Sequence, residues 1–311
     1  MKWIGLGIVA AGMMLGCATR QPNPPPARPE TDPMIAQWTA NAQQAYDRGT
    51  IAQAVTLYQM ALERATMADD SAAIGQIAYA LATCEATLGN LEQARASLMT
   101  AERALKRSGS STAEAVLLDA SLARRLGDMD TAADLLGSLP FRDLSVDQNV
   151  QANLLRALVA CDRNQLSEAE GYLAAAESLL PKKPAPLELA RLHEVAGRLY
   201  TLSNRLPLAA DHYDQQALML RKAGRYREMA DALNRSGDVW MQMNKVEQAG
   251  DRYYRAARSF MAQGDSIAAL QVIDKVVSLD REGLEDSDVM REIASLFEEI
   301  KNGIAVPTPV E

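Results

Sequence analysis

The sequence predicts an all-α protein, a right-handed α-solenoid of about six or seven helical hairpins with a period near 40 residues. Three observations carry that reading. The first is a signature, Ala followed four residues later by a large apolar residue. It recurs as Ala54/Tyr58, Ala94/Leu98, Ala132/Leu136, Ala169/Leu173, Ala209/Tyr213, Ala249/Tyr253 and Ala269/Ile273. The second is a Gly or Asn five residues before every one of those alanines: Gly49, Gly89, Gly127, Asn164, Asn204, Asn244 and Gly264. The third is composition. The 311 residues are 48% hydrophobic but only 5% aromatic, and alanine is abundant throughout. That mixture suits closely packed helices better than a β-sandwich.

Each repeat follows from these residues. Gly and Asn tolerate the left-handed backbone that ends a helix. A second helix starts a residue or two later. Its Ala permits close approach, and the large residue one turn on fills the groove, because positions i and i+4 share a face. Thr50 with Gln53 and Asn90 with Gln93 have capping-box spacing and are expected to cap two of these second helices. In the C-terminal part Asn204, Gly224, Asn244 and Gly264 fall every 20 residues, with Gly283 and Gly303 close behind, which reads as one helix per 20 residues.

These motifs resemble the tetratricopeptide repeat, whose second helix carries A-x-x-x-F and a later Ala. Ala61, Ala101, Ala176 and Ala256 sit at that later position. Trp38 occupies the aromatic position of the first repeat, Gly197 and Gly237 the small position of the fifth and sixth, and Pro181 the terminal proline of the fourth. The signature alanines are spaced 40, 38, 37, 40 and 40 over the first six repeats, against about 34 for the family. Longer helices or looser turns are therefore expected.

Boundaries follow from composition. Residues 1–16 read as an export signal: Lys2, then the uncharged stretch Trp3 to Leu15, too short to span a bilayer but of signal-peptide length. The junction Met14-Leu15-Gly16-Cys17 resembles the lipobox of bacterial lipoproteins, with Met14 where the pattern carries Leu. That resemblance implies covalent diacylglycerol and fatty acyl groups on Cys17. With Ala18 following, it also implies placement in the outer membrane facing the periplasm. An ordinary cleaved signal with a chance Cys is the alternative. Residues 17–34 form a tether. The 14 residues Arg20 to Pro33 hold six prolines and, in polyproline II geometry, reach roughly 40 Å. An N-terminal array (35–180), a Pro-rich loop (181–186), a C-terminal array (187–282), a capping helix (283–302) and a tail (303–311) complete the chain. Further breaks are expected at Gly109 to Thr112 and Pro140 to Asp147.

The residues offer no catalytic pattern: neither a P-loop nor a dinucleotide-binding glycine motif, H-E-x-x-H or G-x-S-x-G occurs. The chain is read as a non-enzyme without small-molecule substrate or cofactor. The formal net charge of −8 gives no electrostatic footprint for nucleic acid, and none for an anionic membrane, so the lipid is the expected membrane contact. Cys84 and Cys161 read as small buried hydrophobes, and His193 and His212 as ordinary helix residues outside any metal motif. Function then rests on the concave face of the first helices. Carried over from the repeat pattern, that face shows Gln43, Tyr46, Gln76, Tyr79, Ser121, Arg124, Arg125, Arg191, Glu194, Arg198, Asn234, Asp238 and Gln242. The Lys/Asn clamp of chaperone-binding tetratricopeptide proteins is absent as a set. Arg124, Arg125, Arg191 and Arg198 suggest an acidic partner segment. The alternatives are pairing with local acids such as Asp128 or Glu194, or a plain solvated face. The implied role is a lipid-anchored scaffold or assembly factor binding other cell-envelope proteins. A regulator of a peptidoglycan enzyme is the alternative.

Overall fold

The computed structural model describes residues 32–279, together with the isolated helical positions Arg291 and Ser295. The expected signal, Cys17 with most of its tether, the capping helix apart from those two positions, and the tail lie outside the described residues. Within them the chain forms thirteen helices and no strand. In order these are α1 (Pro33–Asp47), α2 (Ile51–Met67), α3 (Ser71–Thr87), α4 (Leu91–Ser108), α5 (Ala113–Arg125), α6 (Met129–Gly137) and α7 (Val146–Asp162). They continue as α8 (Leu166–Leu179), α9 (Pro186–Leu202), α10 (Leu206–Lys222), α11 (Tyr226–Gln242), α12 (Val246–Ala262) and α13 (Ser266–Leu279). Six antiparallel hairpins, α1–α2 to α11–α12, stack into an α-solenoid, and α13 follows on α12.

The turns explain the regularity. All seven predicted Gly and Asn residues have positive φ, from 57° at Asn204 and Asn244 to 84° at Gly89 and Gly127. Each closes a Schellman motif. At the first, Gly49 N–H donates to the Tyr46 carbonyl (2.9 Å) and Thr50 N–H to the Ala45 carbonyl (3.0 Å). Asp69, with φ 49°, does the same between α2 and α3, where no Gly or Asn marks the turn.

The expected capping boxes do not form. Thr50 and Asn90 make no side-chain cap, and the Thr50 hydroxyl donates back to the Ala45 carbonyl at 2.9 Å. Each residue is at once the last of a Schellman motif and the N-cap of the next helix. Its ψ, 63° at Thr50 and 65° at Asn90, falls short of the 77° and 87° at Asp128 and Asp70, where the side chain does cap. Asp70, Asp128 and Asp265 at the same position do cap, through carboxylates that accept from Ala73, Thr131 and Ala268 N–H at 3.0 Å. The capping box that exists is Ser145 with Gln148, opening α7.

Three boundaries move. Pro33, expected in the tether, is the first residue of α1, capped by Asp32; its missing N–H costs nothing there. Pro186, expected in the loop, opens α9 for the same reason, and the Glu188 carboxylate accepts from Ala185 N–H at 2.7 Å. Val146 and Asp147 belong to α7, so the break after Pro140 ends at Ser145.

The core is the predicted one. All seven signature alanines are 0% exposed, and their partners lie between 0% (Leu98, Ile273) and 7% (Tyr213). Gly197 and Gly237 show why those sites are small. A Cβ there would lie 2.8 Å from Tyr213 Cε1 and 2.6 Å from Tyr253 Cε1 respectively. Across the 180–185 connection the core is continuous: Leu154, Cys161 and Leu173 share one apolar cluster with Val195 and Leu199 of α9.

Candidate functional site

First helices α3, α5, α7 and α9 pack side by side. Their shared face encloses a cavity of about 650 Å³. Five of the expected groove residues line it: Tyr79, Ser121, Arg124, Arg191 and Glu194. The other wall residues include Glu114, Gln151 and the half-buried Leu118, Leu155 and Leu158. None of these was anticipated, although the sequence held the signal. Positions 18, 15 and 11 before a signature alanine give 114, 117 and 121 from Ala132, and 151, 154 and 158 from Ala169. All six line the cavity.

Three of the four arginines expected to meet an acidic partner are engaged within the protein. Arg124 Nη1 lies 3.0 Å from Asp162 Oδ2, and Arg198 Nη2 binds the other oxygen of the same carboxylate, which is 8% exposed. Arg125 Nη1 donates to the Ala86 carbonyl at 3.4 Å. The anticipated local acids are engaged elsewhere. Asp128 caps α6, which holds its carboxyl below the usual carboxylate range, and Glu194 takes Arg235 at 3.0 Å. Asp162 is the last residue of α7, outside the positions that the repeat pattern assigns to the groove. Among the described residues Arg191 is exposed and has no hydrogen bond or ion pair.

The remaining expected residues lie outside this cavity. Gln43 donates to Asp47 at 2.8 Å and accepts from the Tyr58 hydroxyl at 3.1 Å, while Tyr46 packs into the N-terminal apolar cluster. Asn234 and Asp238 both accept from Lys275 of α13, at 2.9 and 2.6 Å. Gln76 and Gln242 are exposed. The pattern placed every one of these residues on a first helix, but only the middle of the array brings them around one space.

The hairpin α9–α10 also joins what looked unrelated. His193 Nδ1 and His212 Nδ1 are 2.9 Å apart, so one ring donates to the other's lone pair and at least one is neutral. Tyr200 packs against His212 with ring centres 5.2 Å apart and the planes tilted by 46°. Burial lowers both pKa values; His212 lowers that of His193 further, while Asp211 opposes both shifts and Glu177 that of His212. The unfolded chain therefore binds protons first as pH falls below about 6.5, and folded stability is lost as pH drops from there through the folded pKa values. The melting temperature should fall more steeply from pH 7 to pH 5 in the native chain than in His193→Phe. Parallel pH profiles of the two would show that the pair carries no such linkage. Cys84 and Cys161 are free and buried, and burial pushes both thiols up to about 11, as inert core cysteines should be. Among the described residues no group of three or more His, Cys, Asp or Glu is placed to hold a metal.

Repeated hairpins, alanine-signature cores and a cavity on the first helices define the protein as an α-solenoid of tetratricopeptide-like repeats. No family model matches the sequence, and no curated protein matches it. Solved structures do share the architecture. A Signal Transduction ATPase with Numerous Domains with a tetratricopeptide repeat sensor, from Pyrococcus horikoshii, superposes with TM-score 0.63 at 14% identity, over 88% of this chain and 42% of its own. The Cut9–Hcn1 hetero-tetramer of the APC/C superposes with TM-score 0.60 at 17% identity, over 78% of this chain and 43% of that one. The chain thus spans about two fifths of the length of each. A tetratricopeptide repeat protein from Parabacteroides merdae covers 85% of this chain and 99% of its own, at 15% identity and TM-score 0.49. The likenesses to the first two concern the fold alone.

Proposed function

We propose that the protein is a scaffold of the bacterial cell envelope. Acyl chains on Cys17 anchor it, at the outer membrane facing the periplasm, and it assembles other proteins by holding an extended segment of a partner in the cavity of α3, α5, α7 and α9. The observation that carries the reading is the cavity itself. It combines an unpaired guanidinium at Arg191, the carboxylates of Glu114 and Asp147, amide and hydroxyl groups at Gln151 and Ser121, and apolar contacts at Leu118, Leu155 and Leu158. A peptide that sets a carboxylate on Arg191, backbone N–H groups on the two acids and apolar side chains on the leucines satisfies them together. A few oriented polar groups among apolar ones are what peptide grooves use for register and affinity. No catalytic step is assigned to these residues. The Gly16–Cys17 junction after a short apolar stretch supports the anchor, since several buried acyl chains hold a soluble body firmly on a bilayer.

In-cell crosslinking and pull-down with the native chain, Arg191→Glu and Cys17→Ser tests both halves. Arg191→Glu should leave the helical spectrum and melting temperature unchanged and weaken partner capture about tenfold or more, because a charge-assisted contact becomes a repulsion. Native capture should weaken with salt. Cys17→Ser should accumulate as an uncleaved precursor without labelled fatty acid. If Arg191→Glu keeps the native partner set at low and high salt, the cavity is not the binding site. If Cys17→Ser is processed normally and the native chain takes up no fatty acid, the anchor is wrong.

A further inference from the structure

A second cleft, of about 440 Å³, lies between α10, α11 and α12. Its floor is apolar, with Ala217, Leu218, Met229 and Leu233, and its rim carries Arg221, Arg255 and Arg258. Among the described residues one acid lines it, Asp214, and it is already engaged. Its carboxylate accepts from Arg252 Nη2 at 2.8 Å and from the Ser236 hydroxyl at 2.7 Å. Asp251, beside the cleft, is shared by Arg252 (3.1 Å) and Arg255 (3.2 Å). Arg258 stacks over Tyr254, 5.5 Å from the ring centre. The Arg221 guanidinium has no hydrogen bond or ion pair among the described residues. Four guanidinium groups (Arg221, Arg252, Arg255 and Arg258) thus meet two carboxylates (Asp214 and Asp251). The surplus is two positive charges, on a chain whose net charge is −8.

We propose that this cleft binds an acidic peptide segment in which carboxylates alternate with apolar side chains. The carboxylates would lie against Arg221 and Arg258, and an apolar side chain would sit on Leu218, Leu233 and Met229. Guanidinium forks pair with carboxylates bidentately, which gives orientation as well as attraction. Charge selects a peptide over a bilayer. An anionic membrane spreads its charge over many times the ~8 Å Debye length at physiological salt, so it meets the whole acidic body, whereas a short segment meets only the local surplus. The site is separate from the cavity of α3 to α9, and the proposal stands whether or not that cavity binds a partner.

The test is fluorescence anisotropy with the full-length protein and a rhodamine-labelled peptide of alternating leucine and glutamate, against its leucine–glutamine twin. The glutamate peptide should bind, more weakly as salt rises, and the twin should bind at least about tenfold less tightly. Measured in the Arg191→Glu background, which silences the cavity of α3 to α9, the two peptides should still differ, and adding Arg221→Gln with Arg258→Gln should remove that difference. A helical spectrum and melting curve check the variants, and Arg221→Gln alone, at a residue with no partner to lose, carries the test if the double variant misfolds. Equal binding of the two peptides would overturn the proposal. So would unchanged binding by the folded Arg221 and Arg258 variants in that background. Arginine-dependent co-sedimentation with phosphatidylglycerol vesicles without peptide binding would overturn it in favour of lipid.

Discussion

Tyr253→Ala should remove about 3–5 kcal/mol of stability, the usual cost of deleting a buried aromatic ring. The ring is 2% exposed and rests where a Cβ on Gly237 would stand. Its hydroxyl donates to Asp238 Oδ1 at 2.8 Å, and Lys275 Nζ binds the same oxygen while lying 5.4 Å from the ring centre. Burial and the Asp238 carboxylate both push the phenol pKa well up, so it stays protonated and donating. One substitution therefore opens a void over Gly237 and strips Asp238 of a donor. Against a typical total of roughly 5–15 kcal/mol, this should lower the melting temperature by roughly 6–20 °C in a domain of this size. Each hairpin of a solenoid contacts only its neighbours, so the loss should concentrate in α11 to α13 and broaden the transition. Gly237→Leu in the Tyr253→Ala background should restore part of the loss by filling the void, although the same change in the native chain should destabilise by overpacking. A loss below about 1 kcal/mol for Tyr253→Ala, or no sign reversal for Gly237→Leu between the two backgrounds, would show that this contact does not hold the C-terminal hairpins.

What could be read from the sequence was what repeats. The alanine, its aromatic or aliphatic partner and the left-handed Gly or Asn are each required by a close helix contact or a tight turn, so they recur in register and can be counted. Exceptions arise where chemistry of another kind does the same task. Asp69 takes the left-handed position through a short polar side chain. Thr50 and Asn90 have the composition of caps but make none, and the Thr50 hydroxyl turns back to the Ala45 carbonyl instead. The candidate site was half legible for a related reason. A residue's face follows from its offset to the signature alanine, which correctly put Tyr79, Ser121 and Arg191 in one space. Whether a charge on that face is free depends on the next helix, and offsets within one helix say nothing of that. Arg124 and Arg198 both fall on Asp162, and His193 finds His212 only because the Asn204 turn folds α10 back on α9.

Asp162→Ala separates the two roles an arginine can have in this groove. The carboxylate is 8% exposed and is bound by Arg124, 19% exposed, and Arg198, 44% exposed. The Nε atoms of both arginines are buried without a partner, so Asp162 is the main compensation for two guanidinium groups drawn from α5 and α9. Removing one member of a buried pair costs about 3–5 kcal/mol, because the charge left behind is desolvated and unpaired. Arg198 can swing to solvent and recover part of that, so the expected loss is about 2–4 kcal/mol, most of it from Arg124. Asp162→Asn keeps one acceptor and should cost less. Arg124→Met in the Asp162→Ala background should regain stability, since an apolar side chain of similar length needs no counter-charge. For binding the prediction reverses. With Asp162 gone, Arg124 joins Arg191 as a free cation at the cavity, so the Asp162→Ala chain should capture an acidic partner more tightly while folding less stably. Thermal melts with the in-cell crosslinking assay measure both. If Asp162→Ala melts like the native chain, the carboxylate is not holding the first helices together, and the two arginines are solvated side chains that only happen to meet it.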